Sequence, residues 1–408
     1  MKQGLDYDLL IAGGGMVGAS LACALAPLGL RIGVIEPVAH TASEQPSFDD
    51  RSIALSLGSQ RIFSGIGLWP ELVSAATAIK TIHVSDRGHF GVTRLYHDEQ
   101  NVDALGYVMI SRDVGSVLQK HMAGLERVDV LCPARLAGLQ AQDDRVLVTV
   151  EQAGVTRRIS ARLLVAADGG NSKTRELLGM PVRHWDYGQD AVIANVTSSQ
   201  WHRNVAYERF TTSGPLAVLP LTQGRSAIVW TVQRQQVESV MALSDDRFQQ
   251  QLQSHFGYRL GVFTRVGVRA SYPLSLISIT EPVAARALVI GNAAHSLHPI
   301  AGQGFNLGLR DVAVLAEVLA AALRQRQDIG TPAVLQEYAR RQSKDQCKTT
   351  AITDALVRTF SNRFPPAVLA RNTGLLALEL MPPLRRKFAT HAMGLAGAVS
   401  RLGRGVGL

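Results

Sequence analysis

Four apolar runs in this chain are continuous where a half-buried strand would alternate: residues 7–12, 31–35, 162–166 and 287–290. Runs this short, each closed by glycine or an acid, predict strands buried on both faces, as in a parallel sheet. A small, apolar helical pattern follows the first run over residues 19–28, and a longer one follows the last from Gly304 to about Leu323. Residues 49–55 predict the opening of a further helix, residues 112–125 another, and residues 173–178 a short one. Residues 146–150 and 158–159 alternate like a hairpin. Between about residues 181 and 272 the pattern turns to period-two alternation (192–196, 216–219, 226–232), with one helical patch at 245–255. That texture predicts a second, sheet-based unit inserted before the chain returns to Gly291. Residues 331–408 read as helical, interrupted at Pro365-Pro366 and Pro382-Pro383.

The expected organisation is mixed α/β: a Rossmann-like nucleotide-binding domain in three pieces (1–79, 104–180, 272–330), a β-sheet substrate domain (80–103 and 181–271) and a helical C-terminal region (331–408). With 408 residues, 46% of them hydrophobic, the chain is long enough for a large core. Cys23, Cys132 and Cys347 are scattered and have no metal-ligand spacing, so neither a disulfide framework nor a metal site is expected. No signal peptide and no membrane-spanning run is read from the sequence, and a cytoplasmic protein is expected. The net charge of +9 is uneven: residues 356–408 hold eight Lys/Arg and one Glu, and the remainder is nearly balanced. A basic tail suits an anionic surface; a nucleic-acid groove would need a basic body.

The chemistry starts at Gly13-Gly14-Gly15-Met16-Val17-Gly18. This G-x-G-x-x-G lies between a strand and a helix, and Glu36 closes the next strand, which is the arrangement of a dinucleotide site. Gly13 permits the turn, Gly15 admits a diphosphate, Gly18 allows close helix packing, and Glu36 can accept from ribose hydroxyls. Arg51 and Arg112 are candidates for a diphosphate or a ring edge. Asp168-Gly169 closes the third strand. Gly291-Asn292-Ala293-Ala294-His295 and Pro299, Gly302, Gln303 and Gly304 form a late loop whose amides can face a ligand at a helix start.

These three motifs, in this order and along essentially the whole chain, resemble the FAD-dependent aromatic hydroxylases with a p-hydroxybenzoate-hydroxylase-like fold. The segments 82–89, 207–211, 214–217, 297–311 and 378–383 are similar to the ubiquinone-biosynthesis branch, and most of all to the 2-polyprenyl-6-methoxyphenol hydroxylases. The wider family has aspartate where this chain has Asn292; an asparagine still accepts and donates towards a ribityl hydroxyl. The resemblance implies FAD held by Gly13, Gly14, Gly15, Gly18, Glu36, Arg51, Arg112, Asp168, Gly291, Asn292, Pro299, Gly302, Gln303 and Gly304. It implies transient NAD(P)H, O2, a C4a-hydroperoxide and hydroxylation of a prenylated phenol. His295 and His298 are the candidates for a substrate base, with a structural role favoured for His295. The paired tryptophans of flavin halogenases are absent from the sequence. Two alternatives stay open: a paralogous hydroxylase acting at another ring carbon, and a non-catalytic scaffold of the biosynthetic assembly. The apolar stretches 374–380 and 388–399, separated by Arg385-Arg386-Lys387, suit either an anionic membrane surface or a partner protein.

Overall fold

The computed structural model describes residues 4–39, 51–361, 364–397 and 399–408. Asp49 and Asp50, at the start of the expected second helix, lie outside the described residues. The fold is mixed α/β, and among the described residues the strands form sheets of eight, nine and three. The continuous apolar runs do become the buried core of the first sheet. Tyr7–Ala12 sits centrally, with Val155–Ala166 parallel on one side and Ile32–Ile35 parallel on the other. Ala287–Val289 and Val128–Leu131 extend the sheet outward, again in parallel. Helices Met16–Leu25 and Gln303–Arg324 cover one face and bury Leu21, Leu25, Leu309, Val312 and Leu315.

Local pattern was overruled in three places, while the proline breaks of the C-terminal region fall where expected. Ser52–Ser56 is a strand, with Ile53 opposite Met109; the helix starts only at Leu57, where the Ser56 hydroxyl accepts from the Ser59 amide. Pairing with a strand some fifty residues away decides the conformation there, against the local propensity. The expected hairpin return and the third buried strand are one continuous strand, Val155–Ala166, whose first half pairs antiparallel with Val146–Gln152. The C-terminal region divides into helices Pro332–Ser361, Pro365–Leu380 and Pro382–Ala392, each opened by proline, which suits a first turn. Helix does not continue to the C-terminus: among residues 399–408 the only helical turn is Leu402–Arg404.

The nine-stranded sheet runs from Ala270–Ile279 through Val182–Ser198, Arg225–Gln233, Gly214–Pro220 and Val205–Thr211 to Thr81–Asp86 and Val92–Tyr96. Helix Asp245–Phe256 covers one face, over Trp230, Leu216 and Val218. The other face carries Phe210 against Ile300 and Val357. Ser296 pairs with Ile277, so the late glycine loop is stitched onto this sheet. The last strand, Val92–Tyr96, is finished by side chains of helix Pro365–Leu380. Asn372 Oδ1 accepts from the Gly91 amide at 2.8 Å and Glu379 Oε2 from the Arg94 amide at 2.7 Å. Seven helical residues span about 10.5 Å and three strand residues about 10 Å, so the two spacings match.

Candidate functional site

Strand register brings the motifs together. Ala12 stands opposite both Ala166 and Ile35, and Ala166 stands opposite Val289. These four residues form a row across the parallel sheet. Just beyond it, at the carboxyl ends of the strands, come Gly13, Glu36, Asp168 and Gly291, the position where open α/β sheets bind ligands.

The first turn is shaped for close approach. Gly13 has φ +102°, and a Cβ there would lie 2.8 Å from the Asp168 Cα; a Cβ on Gly18 would run into the Gly13 carbonyl. Helix Met16–Leu25 starts at Gly15 with no side-chain cap and no acid in its first turn. Its first N–H groups and the positive end of its dipole are therefore available to a phosphate. Glu36 is 6% exposed, and its two oxygens accept from the amides of Gly14 (2.7 Å) and Val38 (3.0 Å). A carboxylate offers acceptor sites beyond two such bonds.

The late loop joins this turn through Val17: a Cβ on Gly291 would lie 3.1 Å from one Val17 methyl and one on Gly308 3.0 Å from the other. Asn292 is exposed beside them. Gly302 has φ +61° and opens helix Gln303–Arg324, also uncapped and without an acid in its first turn. Its geometry is fixed by Asn306, whose amide donates to the carbonyls of Ala54 (2.8 Å) and Gly302 (2.6 Å) while its oxygen accepts from the Ser56 amide and the Ser59 hydroxyl. Pro299 precedes this turn, and its carbonyl accepts from the Gly302 amide.

Two histidines three residues apart have opposite surroundings. His295 Nε2 lies 2.6 Å from Asp311 Oδ2, which also accepts from the Gly291 amide at 2.9 Å; Gln342 and Gln346 donate to Asp311 Oδ1. His295 therefore belongs to a network that holds the glycine loop. His298 is 0% exposed, with neither ring nitrogen hydrogen-bonded, and stands edge-on to Tyr187 with ring centroids 5.3 Å apart. Burial pushes its pKa down to about 4, so it is neutral near pH 7. Tyr187 donates to Asp354 at 3.2 Å, and burial raises its pKa.

The other sequence candidates are more peripheral. Arg51 stacks on Tyr272 at 4.6 Å, and its carbonyl accepts from the Ser111 amide, which places exposed Arg112 alongside it. The Asp168 backbone abuts Gly13, but its carboxylate turns towards helix Lys173–Leu177 and accepts from the Ser172 hydroxyl and the Thr174 amide. Gln303 and Gly304 lie in the first turn of the long helix, with open space where a Gly304 Cβ would be. Sequence reasoning assigned no role to Asp311, Asn306, Tyr187 or Gln342. Only its place at the end of segment 297–311 hinted at the first. Among the described residues no cluster of His, Cys, Asp and Glu could hold a metal, and no helix is long and apolar enough to cross a membrane.

Known proteins resemble this one along its length. The family described as "FAD binding domain" matches residues 6–348. The ubiquinone hydroxylase UbiL of Rhodospirillum rubrum is 41% identical over 404 residues, covering 98% of this chain and 93% of that protein. The 3-demethoxyubiquinol 3-hydroxylase of Escherichia coli is 30% identical, with coverage of 95% and 98%. Among solved structures, p-nitrophenol 4-monooxygenase PnpA from Pseudomonas putida superposes with a TM-score of 0.80 over 97% of this chain and 99% of that one. At 18% identity, that last likeness carries the fold alone.

Proposed function

The chain belongs to the FAD-binding-domain family of flavin monooxygenases, in its ubiquinone-biosynthesis branch, and from that premise we propose that it hydroxylates the ring of a prenylated phenol, a 2-polyprenyl-6-methoxyphenol first of all. The observation that supports the reading is the row Ala12, Ile35, Ala166 and Val289, after which Gly13, Glu36, Asp168 and Gly291 follow side by side at the carboxyl ends of one parallel sheet. In the overall reaction an aromatic C–H, O2, NAD(P)H and a proton become C–OH, water and NAD(P)+. Bound FAD supplies the oxygen activation.

The chain's own residues have four tasks. Gly15 and the first turn after it hold the diphosphate, Glu36 the adenosine ribose, and Asn292 the ribityl chain. The uncapped start of helix Gln303–Arg324 stabilises negative charge on the reduced ring. Phe210, Ile300 and Val357 keep water from the reacting carbon. His298, neutral and without a partner, accepts a hydrogen bond from the phenol hydroxyl. With its pKa near 4 it polarises that O–H and does not remove the proton outright.

A second reading has one observation behind it. The Escherichia coli relative is named for hydroxylation at position 3 of demethoxyubiquinol, so a different ring carbon is the competing outcome. The test is FAD-loaded protein with NADH or NADPH and prenylated phenols of both substitution patterns. Coupled NAD(P)H oxidation and a product heavier by one oxygen are expected, and the fragmentation pattern names the carbon. Gly18→Ala should lose flavin and turnover together. Fully flavinated protein that oxidises no NAD(P)H with any such phenol would sink the enzyme and leave a scaffold.

A further inference from the structure

Helix Pro365–Leu380 has its polarity reversed. Its two charged residues face the protein: Arg371 pairs with Asp86 at 2.8 Å, and Glu379 pairs with Arg94 at 2.7 Å. Asn372 is 1% exposed between them. The outward face carries Pro366, Leu369, Ala370, Thr373, Gly374 and Leu380, with no charge. Leu369 is 60% exposed and Leu380 70%. The face continues into Met381 at the corner and Leu384 in the first turn of the next helix, and Phe90 on the neighbouring hairpin turn is 57% exposed. Apolar surface this continuous is uncommon on a protein facing only water.

Charge indicates what covers it. Of the three basic residues in sequence at the corner, Arg385 is turned inward onto Glu99, and Arg386 and Lys387 remain exposed at the rim. Apolar side chains bordered by free cations match a leaflet of acyl chains under anionic headgroups. The groove between helix and hairpin turn is lined by Asp86, Arg87, Phe90, Leu369 and Arg371, and Phe360 is part of the same lining. Phe360 stacks on Phe210 with centroids 3.5 Å apart, and Phe210 packs on Ile300 of the late glycine loop.

We propose that this outer face seats on an anionic lipid leaflet, and that the groove ending at Phe360–Phe210 is the mouth through which a prenylated phenol passes from the leaflet to the flavin loop. The choice of cargo rests on the function proposed above; the lipid seat does not.

The test is flotation of the FAD-loaded protein with phosphatidylcholine vesicles, with or without phosphatidylglycerol. Wild type should float with both, and more strongly with the anionic ones. Leu380→Glu/Leu384→Glu, both outside the groove, should lower partitioning about tenfold or more. Its turnover of a water-soluble phenol should stay unchanged, and turnover of a long-chain prenyl phenol held in vesicles should fall in proportion. Arg386→Glu/Lys387→Glu should cost about fivefold per cation on anionic vesicles only. Wild type that stays with the unbound fraction, or a double leucine variant that floats as well, overturns the proposal. So does a wild-type dimer that the leucine variant makes monomeric, since the face would then belong to a second copy. Flotation as described without turnover of any phenol supports the lipid seat and refutes the proposed function instead.

Discussion

Helices Gln303–Arg324 and Pro365–Leu380 use the same alphabet in opposite ways. The first buries Leu307, Leu309, Val312 and Leu315 and keeps its one buried acid, Asp311, surrounded by donors from three other segments. The second buries Asn372 beside Leu375 and turns Leu369 and Leu380 to the outside. The difference follows from what each helix lies against. The first covers the apolar face of a parallel sheet, so apolar contact decides its orientation. The second lies along the last strand of a sheet, where unpaired amides of Gly91 and Arg94 face it, and an unmet amide costs more than an exposed leucine. Which side of a helix is buried depends on the partner surface as much as on the helix.

The contrast can be broken most severely at Leu309, which is 0% exposed. Leu309→Glu should cost about 4 kcal/mol or more, by leaving a charge unpaired in the core, and urea unfolding would show it. The loop before that helix offers the next effect. Burial lowers His298 from 6.5 to about 4, so the unfolded chain binds the extra proton between those values. Stability from this residue is complete above about pH 6.5 and falls as the pH drops towards 4, by up to about 1.4 kcal/mol per unit. His298→Phe should remove that part of the acid slope while lowering turnover about a hundredfold. His83, also lowered to about 4 by burial, keeps its own share in the variant. An unchanged slope in urea midpoints across that range would refute the assignment.

On the reversed helix the effects shrink. Asn372→Ala leaves the Gly91 amide without an acceptor and removes one of two donors to Asp86 Oδ2, which keeps Arg371. It should cost about 1–2 kcal/mol by the same unfolding measurement. Leu369→Glu should stay within about 0.5 kcal/mol of wild type. A loss of the size expected at Leu309 would mean that Leu369 is buried and the reversal is wrong.

What was legible from the sequence was what is local. Gly13 to Gly18, the apolar run before them and Glu36 all lie within thirty residues, and their spacing states the geometry almost directly. The late loop was legible for the same reason. Ser52–Ser56 was misread because its conformation is decided by Gly106–Ile110. Asp311 shows no role in the sequence because its partners are Gly291, His295, Gln342 and Gln346, and no local pattern connects them. The contacts of the Asp168 carboxylate with Ser172 and Thr174 were not legible, because the cap of that short helix is Ser172 itself. In the tail, hydropathy marked 374–380 as apolar but could not say which way the apolar side would turn.

The side-chain finish on strand Val92–Tyr96 has a consequence during synthesis. Gly91 and Asn372 are 281 residues apart, an interval a ribosome covers in about 15–55 s. For that time the hairpin carrying Phe90 exists without the helix that completes it, and its free amides are a template for another nascent chain. The newest part of the protein thus protects one of the oldest, and a transcript truncated before codon 372 should yield a chain that precipitates by strand pairing even though every motif of the nucleotide cradle has already been made.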